Sequence, residues 1–272
     1  MMRLVIFAFI FAFIAGLAWS QPRTSAPVPR MPDGKASFTG VWQPNSTVSG
    51  TWEEANRGTG LGGTAQDPSA PVAPSSTDRQ TGEGAPYQEW AAAKVLEAYR
   101  RRGIDDPTAQ CLPPGIPRAY SVGLFPVEIA HLPDRLVILY EYMNVFRVIP
   151  LNVPHPDDLE PSYMGDSVGH WEDDTLVVDV TSFNDKTWLI GAGTFHSEKL
   201  HITERYRRVS KDRIDYEAVM EDPEVFTKPW IYRVSLMLRE GTRVREYPCS
   251  ENNLDPDRYE KLLKDGVDFQ RR

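Results

Sequence analysis

Residues Gly165 to Arg208 alternate in a way that only β-structure can use. Ser167 to Trp171 and Thr175 to Thr181 read as two strands joined by an acidic tight turn, Glu172-Asp173-Asp174. Lys199 to Arg208 reads as a third strand. A period of two puts successive side chains on opposite faces of a sheet and excludes an amphipathic helix, which needs a period near 3.6. The same stretch places ionisable residues within otherwise apolar strand faces. It therefore indicates a fold class and a candidate cavity, and it names no reaction.

The alternation extends from Pro126 to the end of the chain's last long apolar run. Val127–His131, Arg135–Tyr142 and Val145–Leu151 form a meander, with turns at Leu132-Pro133-Asp134 and Met143-Asn144. A proline-rich excursion follows over 150–163. Ile214–Met220 continues from the third strand through Ser210-Lys211-Asp212, and Trp230–Arg239 with Arg243–Tyr247 forms a final hairpin across Glu240-Gly241-Thr242. With Phe38–Trp42 as a first strand, this predicts nine or ten antiparallel strands joined by short turns. Helical spacing occurs in two places. One is Pro86–Arg102, ended by Gly103, and the other starts at Asp255-Pro256. An antiparallel up-and-down β-barrel of about 8–10 strands removes exposed edges and is the expected all-β architecture. A two-sheet sandwich is the alternative.

Around this core the chain divides simply. Arg3 followed by the apolar run Leu4–Trp19, with Ala18-Trp19-Ser20 at its end, predicts a signal peptide over 1–20. Residues 21–37 are polar and are expected to be flexible. Residues 38–254 form one β-barrel domain. It carries a Gly/Ser/Thr/Pro-rich insert at 49–85, too poor in aliphatic residues to offset its ordering entropy. Residues 255–272 are a C-terminal helix and tail. The net charge of −8 becomes −9 if Arg3 leaves with the leader, so nucleic acid and anionic membrane surfaces are poor partners. No membrane span is expected after signal cleavage, and the location expected is periplasmic or secreted. Cys111 and Cys249 are the two cysteines, both in proline-flanked irregular segments. Export permits a disulfide between them, worth about 4–5 kcal/mol by the chain-entropy estimate.

Several motifs of familiar chemistry fail on context. Gly165-Asp166-Ser167-Val168-Gly169 matches Gly-x-Ser-x-Gly, but a nucleophile elbow requires a strand-to-helix turn, and here a strand follows. His131, His155, His170, His196 and His201 show no tight zinc-ligand spacing. No phosphate loop, cofactor lysine motif or haem signature is present, so no metal or cofactor is expected.

The candidate site comes from strand faces. Val137, Leu139 and Glu141 share one face, and Val145, Arg147 and Ile149 another. Thr175, Val177 and Asp179 share a third, and Leu200, Ile202, Glu204 and Tyr206 a fourth. His201, Thr203, Arg205 and Arg207 point the other way. Charges on apolar faces must be paired or wet. Glu141, Arg147, Glu204 and Tyr206 are thus the expected ligand-binding residues. Three carboxylates around one guanidinium would leave one with a raised pKa, which makes Glu204 or Asp179 a candidate acid/base. His196 lies in a glycine-containing loop over 191–197 and is a third catalytic candidate.

Three segments resemble a family of exported bacterial proteins to which no reaction is assigned: Asp106–Gly115 (DPTAQCLPPG), Gly165–Asp179 (GDSVGHWEDDTLVVD) and Leu200–Tyr206 (LHITERY). The resemblance implies a bacterial source and export. That family usually has Gly where this chain has Asp173. Gly40-Val41-Trp42 is similar to the Gly-x-Trp of lipocalins. That likeness implies a Trp closing the barrel base against a late arginine, here Arg243 or Arg245, and an apolar small-molecule pocket.

Three functions follow as expectations. The first is a barrel that binds a small, mostly apolar ligand with its polar head near Arg147. The second is a lyase, isomerase or hydrolase using Glu204 or Asp179 in the same cavity. The third is a structural or envelope-interaction protein without a ligand. A roomy interior with Glu141, Arg147 and Glu204 converging favours the first two, and a lumen filled by aromatic side chains favours the third.

Overall fold

The structure, a computed structural model, describes residues 27–45, 85–100, 105–121, 125–190, 193–251 and 253–266. The expected signal peptide and nearly all of the expected insert at 49–85 lie outside the described residues. Nine strands form a single sheet: β1 (Gly40–Pro44), β2 (Val127–His131), β3 (Arg135–Tyr140), β4 (Phe146–Pro150), β5 (Asp166–Glu172), β6 (Thr175–Thr181), β7 (His201–Ser210), β8 (Arg213–Glu221) and β9 (Trp230–Leu238). Their order is β4-β3-β2-β1-β9-β8-β7-β6-β5, every neighbouring pair antiparallel. The sheet curls into a nearly closed up-and-down barrel, as the alternation predicts.

An odd number of strands cannot close with every pair antiparallel. The two ends of the sheet, β4 and β5, therefore run in the same direction. They meet at a parallel bridge between Leu151 and Gly169, where the Asn152 amide donates to the Gly169 carbonyl at 2.7 Å. A parallel pair needs a long connection, and the proline-rich excursion supplies it. Gly169 permits the close approach, since a Cβ there would lie 2.9 Å from Leu151 Cδ2.

The expected strand at Arg243–Tyr247 does not form. Both edges of β9 are already taken, one by β8 and the other by β1, with Trp42 opposite Leu238. No edge remains for a further hairpin arm. The turn of the β5–β6 hairpin places Asp173 at φ +53°, in the left-handed region where glycine is least strained.

Helix α1 (Glu89–Arg100) buries Ala91 and packs so closely on Gly193 that a Cβ there would lie 2.6 Å from that of Ala98. The short helix α2 (Arg118–Ser121) ends an irregular segment, of which residues 114–121 are all buried. Helix α3 (Asp255–Lys264) starts with a proline in its first turn. Cys111 and Cys249 are joined by a disulfide, Cα–Cα 5.6 Å, closing a separation of 138 residues. No helix among the described residues is long and apolar enough to cross a membrane.

Residues 27–37, within the segment expected to be flexible, lie against the β5–β6 turn, and Phe38 and Trp42 pack at that end of the barrel. Arg30 bridges Ala36, and Arg30 pairs with Asp174 at the β5–β6 turn. Phe38 is buried and stacks on Trp171, ring centroids 5.6 Å apart. Trp42 is also buried, and its indole N–H donates to the Phe38 carbonyl at 2.8 Å. The arginine over its ring is Arg208, on β7, 4.8 Å from the ring centre. Arg243 and Arg245, the candidates from sequence, are exposed beyond β9. Arg208 suits the role because its own face of β7 points inward, with Ile202, Glu204 and Tyr206.

Candidate functional site

The inward faces of β3, β4, β7 and β8 bring a single ion pair to the middle of the barrel. Arg147 donates from Nη1 to Glu204 Oε1 at 3.1 Å and from Nη2 to Oε2 at 2.7 Å. Their side chains are 2% and 0% exposed. The Tyr216 and Tyr206 hydroxyls donate to Glu204 Oε1 at 2.7 and 3.0 Å. Arg147 Nη2 also donates to Ser167 Oγ at 2.7 Å, and Nη1 reaches the Tyr140 hydroxyl at 3.5 Å. Tyr140 donates to Tyr120, whose hydroxyl lies 3.1 Å from that of Tyr206. The serine of the Gly-x-Ser-x-Gly match is thus a buried acceptor for Arg147, on a strand.

This centre is electrically closed. Burial would lower the Arg147 pKa, but the Glu204 charge outweighs it and the net shift is upward. Burial raises the pKa of all four phenols, so each remains a donor. Among the described residues, Arg147 Nε and the Tyr232 hydroxyl are buried polar atoms of the barrel interior without a hydrogen-bond partner. Tyr120 comes from the buried segment 114–121 and packs on Tyr140, Tyr206 and Tyr216 at 4.6–6.3 Å between ring centres. The segment therefore acts as a plug. Arg118 anchors it by a fork to Asp106, 2.8 and 2.6 Å. Burial would raise the Asp106 carboxyl, but the Arg118 charge and its hydrogen bonds hold it below its ordinary value.

Of the expected ligand-binding residues, Arg147, Glu204 and Tyr206 meet, and Glu141 does not. Past Tyr140 the backbone leaves the strand, with Glu141 at φ −62° and ψ −42°, and its carboxylate accepts from the Arg245 amide at 2.8 Å. The Val137–Leu139 face is the outer one, and Leu139 is exposed. Asp179 also lies outside, because its neighbour Val178 is the residue opposite Glu204. Three carboxylates do not surround Arg147, and the argument for a raised interior carboxylate fails with them.

Asp179 instead belongs to a surface chain. Its Oδ1 lies 2.6 Å from His201 Nε2 and its Oδ2 2.9 Å from His155 Nε2. His155 Nδ1 meets Asp166 Oδ1 at 2.5 Å, and His201 Nδ1 stands 3.5 Å from Glu221. His155, with a hydrogen-bonded carboxylate on each ring nitrogen, satisfies both only as the cation. Burial would lower the His155 pKa, but the hydrogen bonds to Asp166 and Asp179 raise it. Burial would raise Asp179, but the hydrogen bonds from His201 and His155 lower it. Spacing in sequence hid this grouping. His155 sits in the aperiodic crossover, and only the parallel seam brings it beside β6 and β7. Among the described residues no group of three or more His, Cys, Asp or Glu is arranged to hold a metal ion.

His196 is buried rather than poised over a mouth. Its Nδ1 lies 2.9 Å from the Ser197 carbonyl and its Nε2 2.7 Å from Thr187 Oγ1. Burial lowers its pKa, which keeps the ring neutral and structural. Comparison with protein-family models, curated proteins and solved structures finds no match.

Proposed function

We propose that this chain is an exported interaction protein: a plugged barrel whose interior is structural and whose dealings with other molecules take place on its outer surface. The observation that carries this reading is that the fork of Arg147 is occupied by the barrel's own side chains. Glu204 occupies both ends of its fork, Ser167 and Tyr140 take further contacts, and Tyr120 packs on the phenols of Tyr140, Tyr206 and Tyr216 beside it. A ligand head at Arg147 would have to displace Glu204 or the plug, stranding a buried charge at about 3–5 kcal/mol. Export is supported by the apolar run Leu4–Trp19 and by the disulfide, which belongs to an oxidising compartment.

Native mass spectrometry of protein purified without detergent, with titration by a neutral fluorescent probe such as N-phenyl-1-naphthylamine, tests the reading. The expected outcome is the mass of the chain alone and no saturable uptake. A stoichiometric apolar passenger, or one-to-one uptake of the probe, would overturn it.

A further inference from the structure

The outer face of β6–β9 carries a groove of about 600 Å³, within the range of small-molecule sites. We infer that it is a binding site for a small hydroxylated oxyanion, a carboxylate or phosphate carried on a sugar-like group, with Arg207 as its anchor. This deepens the reading that contacts are made outside the barrel.

The register builds the site. Thr175, Arg207, Asp215 and Ser235 follow one another across four strands, and Arg205, Glu217 and Arg233 form the next row. Three of the four arginines lining the groove are paired: Arg205 with Glu172, Arg213 with Asp215, and Arg233 with Glu217, each at 2.7 Å. Arg207 has no hydrogen bond or ion pair among the described residues. Asp215, opposite it, is taken by the fork of Arg213 and by the Ser235 hydroxyl. Asp174, which like Asp215 feels the Arg207 charge, is hydrogen-bonded to Arg30 instead. Four guanidiniums against three carboxylates leave a positive spot on a chain whose net charge is −8.

A free guanidinium fork matches a carboxylate or phosphate in geometry as well as charge. The hydroxyls of Thr175 and Ser235 and the carboxylates beside them suit ligand hydroxyl groups. The site is open to water, so its affinity is modest and screened by salt.

Isothermal titration of the purified full chain in low salt, with D-glucuronate, D-glucose 6-phosphate, inorganic phosphate and D-glucose, tests the inference. The two charged sugars should bind more tightly than phosphate, and glucose should not bind. Arg207→Gln should weaken both charged sugars by about tenfold or more while leaving the thermal midpoint unchanged. Binding indifferent to Arg207→Gln, or equal for all four probes, would overturn the site. Phosphate binding as tightly as glucose 6-phosphate would overturn the sugar class. Uptake of an apolar probe by the lumen would sink the reading of the closed interior and leave these isotherms as they are. Flat isotherms would sink the site alone.

Discussion

Asp179 accepts from two imidazoles at once, and this ties the stability of the surface chain to pH. The folded pKa of His155 is raised. Its contribution is therefore fully present below the unfolded value, about 6.5, and is lost as pH rises through the folded value. The folded pKa of Asp179 is lowered, so its contribution is present above about 3.9 and is lost as pH falls through the folded value. The chain should stabilise most between about pH 4 and 6.5. His155→Gln should lower the thermal midpoint at pH 6 and make little difference at pH 9, by an amount set by pairs worth under about 1 kcal/mol each at a partly exposed site. A deficit equal at both values, read by calorimetry, would show that His155 is not a cation in the folded state. At this scale the sequence was readable wherever strict alternation governed. Arg147, Glu204 and Tyr206 sit on the faces their neighbours dictate. Glu141 was misplaced because its apolar companions Val137 and Leu139 lie on the outer face of β3, and the backbone leaves the strand after Tyr140. His155 and Tyr120 were missed because their segments have no period to read.

Among the elements, β1 and the plug do the closing. Trp42 fills one end of the barrel, hydrogen-bonded to the Phe38 carbonyl and covered by Arg208. Trp42→Ala should cost about 3–5 kcal/mol in denaturant unfolding. A cost below about 1 kcal/mol would mean that the ring is not part of the core. The plug depends on the buried fork between Arg118 and Asp106. Arg118→Ala leaves Asp106 without its partner and should loosen residues 114–121 first. Hydrogen exchange at the Ala119 and Tyr120 amides, which donate to the Gly115 and Pro117 carbonyls, should accelerate well before the β7–β8 ladder. Uniform acceleration would show that the plug is not a separate unit. The pairs β2–β3, β3–β4, β5–β6 and β7–β8 were legible because each strand has an apolar face and a short turn joins it to its partner. The absent strand at Arg243–Tyr247 was not, since the competition that removes it comes from β1, some 200 residues earlier in the chain.

Over the whole molecule, two long-range links hold what the sheet leaves open. The disulfide ties the segment leading into the plug to the C-terminal region. Denatured, unreduced protein should yield no alkylatable thiol, and reduction should cost about 4–5 kcal/mol. Two free thiols in protein expressed into an oxidising compartment would contradict the link. The other link is the ion pair itself. Arg147 stands on β4 and Glu204 on β7, so the pair joins the two sides of the seam through the interior, and its value is read in global unfolding. The double-mutant cycle of Arg147→Ala and Glu204→Ala measures it. Each single change should destabilise the fold by about 3–5 kcal/mol, because it strands the partner's charge. The double change should cost far less than their sum, a coupling of at least about 2 kcal/mol. Small, additive losses would show that the two residues do not sustain each other, and the closed, structural interior would fall with them.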